Sequence, residues 1–137
     1  MAFADAQANC VIKHGEAPAT IRVEEAVKAG DSLGFTDGWY KALATVGANL
    51  IQQRCVAGQD GAAEQDITAY FGTVVLGGER FSGATRGGAM YVAEGTSDGQ
   101  YTQTAPTTTG DANKIVGYAI SATEVVVNCN AIPDSVA

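Results

Sequence analysis

Basic side chains are scarce in this sequence, and it has a single histidine. Only 8 Lys and Arg residues stand against 15 Asp and Glu residues, which gives a formal net charge of −7 at pH 7. A general nucleic-acid-binding protein needs a basic surface to displace the counterions of the phosphates, so we expect no nucleic-acid partner. A Ser-His-Asp or Cys-His catalytic site would have to use His14, because its nucleophile needs an adjacent base. His14 lies in a segment where we predict an extended arm, which positions side chains poorly, and we predict that the protein is not an enzyme.

Cysteine pairs and long apolar runs are also lacking. Cys10, Cys55 and Cys129 are odd in number, lie far apart and form no CxxC pair, so we expect buried thiols rather than a disulfide framework or a zinc site. No window approaches the roughly 18 apolar residues that a membrane-spanning helix needs. The first ten residues have no Lys or Arg and no apolar stretch of the kind found in signal peptides. We therefore expect the protein to be made and kept in a cytoplasm, with no membrane partner.

No segment has the pattern of a cofactor or metal site. Residues 77–88 are rich in glycine and contain Arg80 and Arg86, but they lack the Lys of a phosphate-binding loop. The two arginines could bind an anion, although a flexible loop explains the glycines better. The acidic groups at residues 24–25 and 60–66 flank predicted turns, where solvated charge is expected, and neither matches a calcium loop. We expect no cofactor and no metal.

Glycine and small apolar residues are what the sequence has in abundance. Its 137 residues include 17 Gly, and 46% are hydrophobic, which is too apolar for a disordered chain and too glycine-rich for a helical bundle. The length fits one domain. Asp-Gly pairs stand between apolar runs at residues 37–38 and 98–99. They indicate hairpin turns, because both central positions of a type I′ turn need a positive φ.

Short runs of β-branched and aromatic residues follow one another at regular spacing, which is typical of the strands of a small barrel or sandwich. Strands are predicted at residues 40–46, 50–57, 66–76 with a break at Gly72, 89–92, 101–104, 115–120 and 124–129. The predicted fold class is all-β, a small β-barrel or sandwich of short antiparallel strands with an extended N-terminal arm. Residues 1–20 form the arm, and residues 21–137 form a single β-barrel domain.

Two stretches of the chain resemble each other. Residues 30–42 and 88–105 each place a short strand, a loop ending in Asp-Gly and a returning strand that begins with an aromatic residue. Two such hairpin modules could close on each other as a barrel. Trp39 could cap the barrel core or anchor a partner at the surface, and we favour the core. Gly72 and Gly117 are predicted to mark bulges or close backbone approaches, so Val at either position should be strongly destabilising.

Six short segments occur in an order and spacing that is more specific than any one of them. They are residues 29–33 (AGDSL), 63–74 (AEQDITAYFGTV), 88–92 (GAMYV), 98–102 (DGQYT), 113–120 (NKIVGYAI) and 123–127 (TEVVV). Together they resemble the turn-and-strand elements of the capsid decoration, or cement, proteins of tailed bacteriophages. The resemblance covers roughly residues 21–130, and the chain departs from the pattern around residues 48–60 and before Ile21.

The resemblance implies a structural virion protein that binds the outer surface of an assembled phage head and stabilises the shell. Its partners would be the major capsid protein and further copies of itself, as a trimer at symmetry axes. Its location would be the capsid surface of the virion. An arm that is disordered in the free protein could add backbone hydrogen bonds to an exposed sheet edge on the shell. The candidate contact residues therefore lie in the arm: Phe3, Cys10, Val11, Ile12 and His14.

Two other functions stay open at this point. The protein could be another phage structural module, such as a head fibre or a tail component, or it could be a non-enzymatic β-barrel that binds a small ligand. The predicted strands carry mostly Ala, Val, Ile and Thr, which disfavours an inward-facing polar pocket. For a decoration protein we expect that deletion of residues 1–20 leaves the fold intact and weakens binding to the shell.

Overall fold

The computed structural model describes residues 3–95 and 97–137, and over this range the chain consists mainly of short β-strands and turns. The strands are β1 (Cys10–Gly15), β2 (Pro18–Arg22), β3 (Ser32–Phe35), β4 (Trp39–Lys41), β5 (Cys55–Ala57), β6 (Asp66–Tyr70), β7 (Thr73–Gly78), β8 (Ala89–Val92), β9 (Tyr101–Thr102), β10 (Gly117–Ala119) and β11 (Glu124–Asn128). A 3₁₀ turn, Glu79–Phe81, follows β7. The described residues contain no α-helix, and the all-β prediction is confirmed.

The strands form two antiparallel sheets. The six-stranded sheet has the order β1-β7-β11-β10-β8-β9, and the five-stranded sheet has the order β2-β6-β5-β3-β4. This arrangement is sandwich-like, and the closed barrel that was the other form of the prediction is wrong. The sheets are joined at one end by single backbone bonds rather than by a ladder of them. Ala44 N donates to Ala93 O at 2.9 Å, and Gly99 N donates to Ala42 O at 2.8 Å.

The two similar hairpin modules lie in different sheets. β3 and β4 pair in the five-stranded sheet, whereas β8 and β9 pair at the end of the six-stranded sheet. They meet where Ser32 N, in β3, donates to the carbonyl oxygen of Gly99, in the turn before β9, at 3.0 Å. The modules therefore contact each other at one end of the sandwich, but they do not close it into a barrel.

The main core lies between the sheets, because alternate residues of a strand point to the same face. Val74 and Leu76 of β7 are fully buried there, in one cluster with Val56 of β5. A second, smaller cluster contains the residues on either side of Val56. Its members are Ile21, Val23, Val27, Leu33, Cys55, Ala57, Ile67 and Ala69. The five-stranded sheet is therefore apolar on both faces, and its outer face is partly covered by the loop that carries Val23 and Val27.

The first 22 residues contribute a strand to each sheet. β1 pairs antiparallel with β7, and β2 pairs antiparallel with β6. The extended N-terminal arm is thus not confirmed. Both strands lie at sheet edges, where most side chains of β2 are exposed and those of β1 alternate imperfectly. An edge strand of this kind has little hydrophobic periodicity, and for that reason its sequence resembles that of an arm.

The strand region predicted at residues 66–76 is interrupted at Gly72, as predicted. β6 ends at Tyr70 and β7 begins at Thr73, with Gly72 between them. A Cβ atom at Gly72 would lie 2.8 Å from the Cβ of Glu16, and a Cβ atom at Gly117 would overlap the carbonyl oxygen of Val126. Both glycines therefore mark close approaches, and at Gly117 the obstacle is the backbone of the neighbouring strand.

Several strands are shorter than predicted. The strand expected at residues 40–46 is reduced to β4, because the residues after it pair with three different segments. Ala42 N donates to Ser32 O, Leu43 exchanges bonds with Ile51, and Ala44 N donates to Ala93 O. Residues 50–57 likewise contain only β5 beyond the single bridge at Ile51. The apolar pattern of these segments arises from burial at the junction of the two sheets rather than from a continuous strand.

Candidate functional site

The predicted contact segment is β1, an edge strand of the six-stranded sheet. Its only strand partner in the described part of the chain is β7, so the opposite edge of its backbone is open. The pairing register shifts between Ile12 and His14, which places a β-bulge at Lys13. Bulges and charged side chains are common on edge strands, because they limit uncontrolled pairing with other chains. β1 is therefore accessible to a partner but partly protected against aggregation.

Two of the five predicted contact residues point outward from β1. Val11 is 51% exposed, and His14 is also exposed. His14 Nε2 lies 3.0 Å from Glu16 Oε2, and Thr73 N donates to the other carboxylate oxygen of Glu16 at 3.4 Å. The hydrogen bond from His14, followed by that from Thr73, lowers the pKa of Glu16. The surface that β1 offers is thus one apolar side chain beside a small polar network.

The other three predicted contact residues are turned toward the protein. Cys10 and Ile12 are half-buried against the main core. Phe3 also packs on this core and stacks on Phe81, with ring centroids 6.2 Å apart and an angle of 14° between the planes. Burial raises the pKa of Cys10 to about 11, so its thiol is a weak nucleophile at neutral pH. These three side chains hold the segment in place.

Arg80, predicted in a flexible loop, is completely buried. Its Nη2 donates to Asp5 Oδ2 at 3.0 Å and also lies 2.8 Å from Asp31 Oδ1, and its Nε lies 2.9 Å from Asp5 Oδ1. Nη1 donates to Ala29 O at 3.0 Å, and Nη2 donates to Gly99 O at 3.2 Å. Two carboxylates of the chain itself occupy the place where a bound anion would lie.

This ion cluster fixes the segment that precedes β1. Asp5 also accepts a hydrogen bond from Tyr101 N at 3.0 Å, and the Tyr101 hydroxyl donates to Gly30 O at 2.8 Å. Burial alone would lower the pKa of Arg80, but the carboxylates of Asp5 and Asp31 outweigh it and raise that pKa. The expectation that residues 1–20 can be deleted without loss of the fold is therefore revised, because the deletion would remove β1, most of β2 and a buried counterion of Arg80.

Three aromatic rings form a chain on the outer face of the five-stranded sheet. Phe35 and Trp39 lie edge to face with ring centroids 5.2 Å apart, and Trp39 and Phe71 lie edge to face at 5.5 Å. Trp39 and Phe71 are half-buried against the second core cluster, whereas Phe35 is 53% exposed. Trp39 thus combines the two interpretations that its sequence left open, because one side of it packs on a core and it also lines a surface groove.

The groove beside these rings, which we call the aromatic groove, has a volume of about 460 Å³. It is lined by Phe35, Trp39, Arg54, Phe71, Asn130 and Ala131. Sequence reasoning missed Phe35 and Phe71 as surface residues. The available signal was strand alternation, since Phe35 lies two residues after Leu33 and Phe71 two residues after Ala69, both members of the second cluster.

The other two cysteines are shielded from water to different extents. Cys55 is fully buried and Cys129 is half-buried, and burial raises the pKa of Cys129 to about 12. Among residues 3–95 and 97–137, no cluster of three or more His, Cys, Asp or Glu side chains could hold a metal ion. The same residues include no helix with the length and hydropathy of a membrane span.

Comparisons of the chain with protein-family models, with curated proteins and with solved structures gave no match.

The geometry of the described residues offers two surfaces where another molecule could bind. One is the open edge of β1 with Val11 and His14, and the other is the aromatic groove on the outer face of the five-stranded sheet.

Proposed function

We propose that the protein is a capsid decoration protein, which binds the outer surface of a phage head and stabilises the shell. The order of turn-and-strand segments over residues 21–130 supports this proposal through its resemblance to that family. In this function the protein works by binding and not by chemical transformation.

The observation that carries the proposal is the open edge of β1. An unpaired strand edge can accept an extended segment of another chain through backbone hydrogen bonds, while side chains such as Val11 and His14 add specificity. Contacts on one side hold the edge in place, because β1 pairs with β7 and Arg80 contacts Asp5 in the segment before it. Little ordering entropy would therefore be lost at this edge when a shell binds.

Binding of this kind stabilises the shell by mass action. A ligand that binds only the assembled state shifts the equilibrium toward that state. When the ligand is in large excess over its dissociation constant, the stabilising free energy grows with the logarithm of the ratio of free ligand concentration to that constant. The protein needs no catalytic group for this effect. We further propose self-association as a trimer at symmetry axes and a final location on the virion surface.

Cosedimentation with mature heads tests the proposal. Heads from the phage whose genome encodes this chain should bind the protein saturably, and their melting temperature should rise when the sites are filled. Val11→Glu on the β1 edge should weaken binding, whereas Val46→Glu, which changes a side chain that is 46% exposed elsewhere, should not. Absence of saturable binding would contradict the proposal, and electron microscopy that finds the protein on the tail would select a tail component instead.

A further inference from the structure

The cations of this acidic chain differ in how their charge is compensated. Lys13, Arg22, Lys41 and Arg80 each lie within 4 Å of a carboxylate. The other four Lys and Arg residues have no such partner among the described residues. Lys28 and Arg86 are exposed, where water solvates the charge, but Arg54 is half-buried and Lys114 is 7% exposed. Uncompensated charge away from water is costly, so these last two residues require an explanation.

Arg54 and Lys114 converge on one oxygen atom. Lys114 Nζ donates to the backbone carbonyl of Gln53 at 3.0 Å, and Arg54 Nη1 donates to the same carbonyl at 3.5 Å. Lys114 Nζ also donates to Asn130 O at 2.7 Å, which holds one wall of the aromatic groove. Burial, and then repulsion from Arg54, lowers the pKa of Lys114. A local excess of positive charge therefore lies at the groove.

The residues that line the groove determine which kind of ligand this positive charge favours. Among the described residues that line the groove, Arg54 is the only charged one, and none carries a carboxylate. Although the chain has a net charge of −7, charges more than about 8 Å away are largely screened at physiological salt, so the local cations decide which ligand is favoured. Aromatic residues and arginine are also the side chains that most often dominate the energetics of protein interfaces.

We propose that the aromatic groove binds a short acidic segment of a partner protein, in which a bulky apolar side chain is flanked by carboxylates. The apolar side chain lies against Phe35, Trp39 and Phe71, and a carboxylate pairs with Arg54, whose planar guanidinium suits bidentate recognition. This inference rests on the proposed function in one respect: the segment belongs to the capsid protein. It assigns a second contact surface in addition to the β1 edge.

Peptide binding to the isolated chain tests the proposal without shells. Trp39 is the only tryptophan and lines the groove, so its fluorescence reports occupancy directly. The probe is an acetylated and amidated pentapeptide, EDFLE, with KKFLK and EDSSE as controls for charge and for the apolar side chains. EDFLE should change the fluorescence saturably, bind about tenfold or more tightly than either control, and lose affinity when NaCl is added.

Matched variants separate the groove from nonspecific attraction. Arg54→Met keeps an apolar stem and should weaken EDFLE binding about twofold to fivefold while leaving that of KKFLK unchanged or tighter. Arg86→Met removes an exposed unpaired cation from a distant loop and should leave EDFLE affinity as it is. If Arg54→Met fails to fold by circular dichroism, Arg54→Lys takes its place and should show a smaller loss in the same direction.

Three results would overturn the inference: no saturable change with EDFLE at millimolar concentration, equal binding of EDFLE and KKFLK, or equal losses in Arg54→Met and Arg86→Met. The assay is independent of the proposed function. Peptide binding without shell binding leaves the groove as an acidic-segment site and removes the capsid protein as its partner. Shell binding without peptide binding rejects the groove and keeps the β1 edge.

Discussion

Arg80 and Arg54 both lie beside aromatic residues, but of the two only Arg80 contacts carboxylates within the described residues. The Arg80 guanidinium is fully buried, lies 5.6 Å from the centroid of the Tyr101 ring and contacts the carboxylates of Asp5 and Asp31. Arg54 is half-buried in the aromatic groove and has no carboxylate within 4 Å among the described residues. The first region compensates its own charge, and the second does not.

This difference separates a structural role from a binding role. A buried arginine that contacts two carboxylates of its own chain leaves no position for an external anion. Removing one of these three side chains leaves a buried charge without compensation. A half-buried arginine without a carboxylate contributes little to the stability of the fold, and its N–H donors remain available to a ligand. Sequence analysis named two arginines as possible anion ligands. Arg80 is inaccessible to an external anion for this reason, and Arg86 is exposed on a loop.

The largest expected effect follows from removal of the buried guanidinium. Arg80→Met should destabilise the protein by about 3–5 kcal/mol, because Asp5 and Asp31 would be left buried without a counterion. Urea denaturation of the variant and the wild type measures this difference. The triple variant with Asp5→Asn and Asp31→Asn should recover part of the loss, and a single variant within about 1 kcal/mol of the wild type would show that the cluster does not hold the fold.

A steric change at a strand glycine provides a scale for that loss. Gly117→Val should destabilise by about 1–3 kcal/mol or more, since the new side chain would overlap the Val126 carbonyl of the paired strand. Gly72→Val should cost less, because the new Cβ would lie 2.8 Å from its nearest obstacle, the Cβ of Glu16, instead of overlapping a carbonyl oxygen. Thermal melts of both variants test the order, and a larger loss at Gly72 would contradict the geometry.

The corresponding Arg-to-Met substitution at the aromatic groove should have little effect on stability. Arg54→Met should lie within about 0.5 kcal/mol of the wild type, because no ion pair is broken and the repulsion on Lys114 is relieved. The same urea denaturation series measures it beside Arg80→Met. A loss comparable to that of Arg80→Met would remove the contrast between the two regions, since Arg54 would then be a structural residue as well.

The smallest expected effect concerns the exposed pair on β1. The pKa of Glu16 is lowered in the folded state, so its contribution to stability is present above pH 4.5, its unperturbed pKa, and is lost as the pH falls through the folded-state pKa. The loss of melting temperature that Glu16→Gln causes should therefore become smaller as the pH falls below 4.5. A difference that grows over this interval would mean that the pair stabilises the protonated form.

Local strand signals were sufficient for part of the fold. The strand predicted at residues 89–92 is β8, and the break at Gly72 separates β6 from β7, because hairpin alternation and turn glycines act over a few residues. The sequence could not place β1 and β2 in the sheets, since polar edge strands lack periodicity. It also could not separate a barrel from a sandwich, which depends on contacts between distant segments.

The binding surfaces were predictable only in outline. The segment around Val11 was singled out for edge pairing, but which of its side chains face outward depends on a register with β7 and a bulge. The role of Arg80 depends on Asp5, which is 75 positions away in the chain. The aromatic groove assembles Phe35, Arg54 and Phe71 from three separate strands and loops, and no short motif encodes that arrangement.

A cryo-electron microscopy map of phage particles that carry this protein tests the central claim most directly. The account predicts density for the sandwich on the outer surface of the head, with the β1 edge and the aromatic groove against capsid protein and a carboxylate beside Arg54. The account would be contradicted by density on the tail, or by a groove that faces solvent while the Arg80 region forms the contact.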